Sequence, residues 1–255
     1  MKVIRPNCRA QFTCVDFDFL GSVLPLSDNS AVTQSKLLFQ LAKDAESVDA
    51  MLDNPRVFRA LLDQRGCLTV SMHFYFYVLV RHVLLREEIH EREVADYVAE
   101  VLAEFVLLSR LRAPNPDQPE ALDYLFDMIV ALEKLEEGER FAMQTHIGNY
   151  ALFLSGIFPN QLQNRVQRRG APSFQYYEDL GSAHFRLAGS HFLAKKLEMV
   201  SIYVTLGEAF HVTRRALNHL SEKLVFLETN RAVKDLFLEI DKPGFGSSED
   251  KSSQG

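Results

Sequence analysis

Along most of the chain, apolar residues recur at the three- and four-residue spacing of an amphipathic helix, and strand-like alternation is nearly absent. Thr13-Cys-Val-Asp16 has the spacing of a capping box, with aspartate where glutamate is usual. It predicts a short helix through Phe17 and Leu20 that closes at Pro25. A second helix is expected over about 35–52. Asn54-Pro55 then supplies a cap followed by proline at the first helical position, opening a short helix through Phe58, Leu61 and Leu62.

The segment from Leu68 to about Glu88 is the most apolar in the chain. Val70, Met72, Phe74, Tyr75, Phe76, Tyr77, Val78, Leu79, Val80, Val83, Leu84 and Leu85 cover nearly its whole circumference, which predicts a helix buried at the centre of the fold. Its neighbour, about 91–109, follows the charged join EEIHERE. Residues 113–119, APNPDQP, read as a loop. The helices flanking that loop each carry a broad apolar face that needs a partner, so one continuous domain is expected.

In the second half, helices are expected at about 120–136, 139–155, 160–168, 173–192 and 195–227, with a short last one near 230–240. Gly156 with Pro159, and Gly170 with Pro172, read as punctuation that ends one helix and then the next. The expected fold is all-α: a single orthogonal or bundle-like domain of about eight to eleven helices around a central apolar helix. It spans 13–240, after an N-terminal lead-in at 1–12. The closing stretch 241–255, DKPGFGSSEDKSSQG, reads as a disordered polar tail.

Composition narrows the function classes. A net charge of −6 opposes the counterion displacement that general nucleic-acid binding requires. The longest strongly apolar run, 67–80, is too short to span a bilayer. Three cysteines without paired spacing, and an N-terminus without an apolar signal core, lead us to expect a cytoplasmic bacterial protein.

Candidate chemistry concentrates on the helix that opens near Ser173. Placed at the helical angle, Glu178, Asp179, Ser182, Arg186 and Ser190 share one arc. The opposite, wider arc holds Phe174, Tyr176, Tyr177, Leu180, Gly181, Ala183, Phe185, Leu187, Ala188 and Phe192. His184 and His191 lie in the middle of the apolar arc with Tyr177 one heptad earlier, and Gly181 and Ala188 leave room for another helix or a ligand. Buried imidazoles need hydrogen-bond partners, so these two either pack as satisfied core residues or line a pocket. His73, from the central helix, would complete such a pocket, and His146, ahead of a Gly148–Asn149 break, is a fourth candidate.

Two Glu-x-x-His pairs, Glu87–His90 and Glu208–His211, match the ligand spacing of di-iron bundles. The first lies in a charged join and the second away from its helix's apolar arc, so neither projects inward as that chemistry requires. Arg165, Arg168 and Arg169 suit the negative end of a helix dipole. With Tyr176 and the amides opening the next helix, they could also clamp an anion. The chain has no G-x-S-x-G elbow, no Walker loop and no HExxH.

Three functions are therefore carried forward. The first is a non-catalytic module that binds a protein partner or self-associates, a homodimer being the commonest case. The second is a helical enzyme with a cofactor or metal in a buried pocket lined by His73, His184, His191 and Tyr177. The third is a protein that binds an anionic ligand at Arg165, Arg168, Arg169 and Tyr176. The sequence names no catalytic residue, metal or cofactor.

Overall fold

The computed structural model describes residues 3–24, 45–63, 69–106, 125–169, 173–221 and 224. Among them are twelve α-helices, a 3-10 turn at Arg9–Gln11 and no strand, so the fold is all-α. The helices are α1 Cys14–Val23, α2 Ala45–Leu52, α3 Pro55–Asp63, α4 Met72–Arg86, α5 Arg92–Val106 and α6 Leu125–Leu132. There follow α7 Glu137–Ile157, α8 Pro159–Arg169, α9 Phe174–Ser190, α10 Phe192–Lys196, α11 Val200–Glu208 and α12 Phe210–Ser221. The expected loop at 113–119, last helix at 230–240 and tail at 241–255 lie outside the described residues.

The most apolar segment forms α4, in which every residue from Phe74 to Leu84 is buried. It packs against α3, α5, α12 and the 3-10 turn. A second helix is as deeply buried. α7 packs against α5, α6, α8, α9 and α12, and all but one of its residues from Phe141 to Ile157 are buried. Gly148 lets this happen, because a Cβ there would stand 2.9 Å from the Phe185 ring of α9. At Gly156 a Cβ would stand 2.9 Å from Leu217 of α12. Gly148 reads as a break in the sequence, yet α7 runs through it; the Gly156–Pro159 punctuation does end α7, and both glycines bring neighbouring helices close. The break falls at Phe158, ahead of Pro159, which has no amide to give.

The N-terminal half is tied together by buried polar groups. Asp16, fully buried, accepts the Thr13 amide at 2.7 Å and the Thr13 hydroxyl at 3.0 Å. It also accepts the amide and the hydroxyl of Ser71, and Ser71 in turn caps α4 by accepting the Phe74 amide at 3.1 Å. Arg81, buried in α4, forks onto Asp53 at 3.0 and 3.3 Å and donates to the His90 carbonyl at 2.8 Å. Arg92 of α5 forks onto the same carboxylate at 3.1 and 2.6 Å. Burial opposes ionisation of Asp53, but the hydrogen bonds from Arg81 and Arg92 outweigh it and hold the carboxyl below its usual range.

The helix expected over 195–227 divides. α10 ends with Glu198 at φ 57°, where the Glu198 and Met199 amides return to the Lys195 and Ala194 carbonyls. This is the paired closure of a Schellman motif. α4 ends in the same way at Glu88, φ 62°, with the Glu88 and Ile89 amides on Leu85 and Leu84. A second interruption at Ala209 separates α11 from α12. These divisions carry the helix count past the expected range.

Candidate functional site

α9 carries the side chains singled out from sequence, and its packing divides its apolar arc. Tyr177, Gly181, His184, Phe185 and Ala188 are buried. A Cβ on Gly181 would stand 2.2 Å from the Phe210 ring, so the space that Gly181 leaves is filled by α12. The polar edge is also engaged. Ser182 donates to the Gly207 carbonyl at 2.6 Å, and Glu178 accepts from Arg214 at 2.6 Å. What remains facing outward is the far side of the apolar arc: Tyr176, Ala183 and Leu187 are exposed, and Leu180 is half-buried.

The candidate pocket residues occupy different surroundings. His184 is buried, its Nδ1 has no hydrogen-bond partner, and burial pushes its pKa down. His191 does not follow it into the core. The helix stops at Ser190, and His191 takes up extended backbone (φ −76°, ψ 141°) between α9 and α10. Its Nδ1 accepts the Leu193 amide at 3.1 Å and so caps α10, which leaves the proton of the neutral ring on Nε2, 3.9 Å from Glu137. The ring stacks between Phe141 and Phe192, with centroids 4.9 and 4.8 Å away. A helical projection that ran unbroken through residue 191 put it in line with His184, and the break rotates it out.

His73 stands at the start of α4 among groups from the lead-in and α5. Its carbonyl accepts the Cys8 thiol at 3.1 Å, and its Nε2 is 3.8 Å from Glu100. Burial pushes its pKa down, against an upward pull from Glu104 and Asp16. His146 is buried within an unbroken stretch of α7, near Phe105 and Tyr150. Among the described residues, no group of three His, Cys, Asp or Glu side chains could hold a metal ion.

The Glu-x-x-His pairs do not converge. Glu87 pairs with Arg215 of α12 at 2.5 Å, so it is a tie between helices rather than a solvated turn. His90, Glu208 and His211 are exposed. Arg165, Arg168 and Arg169 belong to α8, but their side chains and the Gly170–Pro172 turn lie outside the described residues. Tyr176, their expected companion, is exposed and sets its ring edge-on to Tyr177 at 5.7 Å.

Sequence reasoning missed the polar ties at Asp53, Arg81 and Arg92, and the buried Asn149, whose Oδ1 accepts the Tyr97 hydroxyl at 2.9 Å. Arg81 in the middle of the most apolar helix was the available signal, since a buried cation demands a partner. Also missed was a concentration of exposed apolar side chains. Of the seven large hydrophobic side chains exposed among the described residues, Tyr176, Leu187, Phe192, Val200 and Val204 all lie on α9–α11. α9 and α11 run antiparallel and close, with Gly189 against Tyr203 and Val204, and Gly207 against Arg186. Scattered exposed apolar residues are ordinary, but a concentration within one layer is not.

No helix among the described residues is long and apolar enough to cross a membrane. No family model, no curated protein and no solved structure matches this chain.

Proposed function

We propose that the protein acts by docking a protein surface on the outward side of α9–α11, without catalysis of its own. One observation carries this reading: Tyr176, Leu187, Phe192, Val200 and Val204 are exposed within a single layer of the fold. Each Å² of apolar surface left in water forgoes about 25 cal/mol, and a partner that covers the face recovers it. The net charge of −6 favours a protein partner over nucleic acid. Cys8 and Cys14 are both free, which fits a reducing cytoplasm.

A photo-crosslinking residue placed at Leu187, and separately at the exposed Arg59 of α3, tests the reading at native expression levels. Protein adducts from position 187 and none from position 59 are expected. No adduct from 187, or equal adducts from both, would contradict it.

A second reading, a small-molecule pocket, has one observation in its favour: the unpartnered Nδ1 of buried His184. A bound donor would satisfy that nitrogen. It predicts a constant excess mass on the natively purified chain that is lost on His184→Leu.

A further inference from the structure

We propose that the surface covering α9 is a second copy of this chain, packed antiparallel across a two-fold axis centred between Gly181 and Ser182. The inference rests on the docking reading above and names its partner.

Tyr176, Leu180, Ala183 and Leu187 stand four, three and four residues apart, the spacing of a helix–helix seam. Among the described residues, Tyr176, Ala183 and Leu187 are exposed and Leu180 is half-buried, so this side of α9 faces outward. The seam reads the same in both directions about its midpoint. Tyr176 and Leu187 are equally far from the centre, as are Leu180 and Ala183. In a two-fold contact, a residue meets the position that mirrors its own. Tyr176 then meets Leu187 of the second copy, and Leu180 meets Ala183. Each pair sets a large side chain against a smaller one, so the two helices can approach closely at the centre.

Charge selects the orientation. Asp179 and Arg186 flank the seam on the same side, the side where the stem and backbone of Arg186 border Gly207 of α11. Both are exposed. Arg186 has no hydrogen bond or ion pair among the described residues, and Asp179 accepts from Gln175 one turn earlier. At a rise of 1.5 Å per residue, antiparallel packing brings Asp179 to within about 3 Å, along the axis, of Arg186 of the second copy. An arginine side chain spans that offset. Parallel packing would instead place the two copies of this flank on opposite sides of the seam, where Asp179 and Arg186 of different copies do not meet. Val204 beside Gly189, and Val200 a turn earlier, carry the apolar surface beyond one helix onto α11.

Sedimentation velocity on the purified full chain, over a range of concentrations, tests the pairing. A concentration-dependent dimer is expected. Asp179→Arg and Arg186→Asp should each weaken it about tenfold, through one lost attraction and one new repulsion at each of two symmetric places. The double exchange Asp179→Arg, Arg186→Asp should restore it to within about threefold of the parent. Ala183→Glu should abolish the dimer, and at a concentration too low for the parent to dimerise the two should melt together, since position 183 faces outward. A chain that stays monomeric throughout, or a double exchange no better than either single one, overturns the inference. If that monomer still crosslinks a different protein from position 187, the second copy is excluded and the docking face stands. If it crosslinks nothing, both fall.

Discussion

Asp16 accepts the Ser71 amide on one carboxylate oxygen at 2.6 Å and the Ser71 hydroxyl on the other at 2.7 Å, across 55 residues of chain. The same carboxylate closes the capping box of α1 through Thr13. One buried anion thus fixes the starts of α1 and α4, and α4 carries much of the core.

Asp16→Ala should therefore cost roughly 2–4 kcal/mol, since it removes a helix cap and strips the partner from a partly buried amide and hydroxyl. Asp16→Asn should cost less, because its carbonyl oxygen can keep the three donors on Oδ2, while its amide faces only the Ser71 amide. Urea denaturation of both variants measures the difference.

Acid should weaken the fold through its histidines. Burial lowers the folded pKa of His73, His82 and His184 below the unfolded value. Below about pH 6.5 the unfolded chain takes up protons that the folded chain refuses, so their contribution is fully present above that pH and is lost as pH falls toward the folded values. His82 illustrates the constraint. Its Nε2 donates to the Leu52 carbonyl at 3.1 Å, while its ring stacks on Phe58 at 4.8 Å. Each histidine adds a slope of at most about 1.4 kcal/mol per pH unit. His184→Leu should remove one such slope, visible as a smaller fall in urea midpoint between pH 6.5 and 5 than the parent shows.

Glu88 and Glu198 occupy left-handed backbone at the ends of α4 and α10, where a side chain carries a steric penalty that glycine escapes. Both are exposed. Glu88→Gly and Glu198→Gly should each stabilise the fold by about 0.5–1 kcal/mol, measured as a rise in melting temperature.

Two glycines should respond oppositely to the same methyl group. Gly181→Ala drives a Cβ into the buried Phe210 ring and should cost about 1–3 kcal/mol. Gly138→Ala, in the first turn of α7 with nothing within 4 Å of its Cβ, should be neutral or gain up to about 1 kcal/mol. Chemical denaturation of the pair separates close helix approach from simple helix propensity.

The helices were legible wherever local chemistry decides them. Thr13–Asp16 opens α1 as its spacing implies, and the Asn54 carbonyl of the side chain accepts the Arg56 amide at 3.0 Å at the start of α3. The all-round apolar character of α4 matches its burial. Events set by tertiary contact were not legible. Gly148 and Gly156 carry the marks of a helix break, yet what they face, Phe185 and Leu217, arrives from distant parts of the chain. The Schellman closures at Glu88 and Glu198 escaped because glutamate is not a residue that announces left-handed backbone. His191 escaped because a periodic projection carries no information on where the helix stops. The α9 face itself was written in the sequence as an apolar arc too wide for one interface; which part of it stays outside depends on where α7, α11 and α12 pack.

Native mass of the freshly purified chain, taken beside a Leu187→Asp variant, decides what covers α9. The Leu187 side chain points outward, so the two monomers should be equally stable. A dimer from the parent and a monomer from the variant is the predicted result. A parent of monomer mass would contradict the account, and a constant excess mass on that monomer would move the functional site to His184.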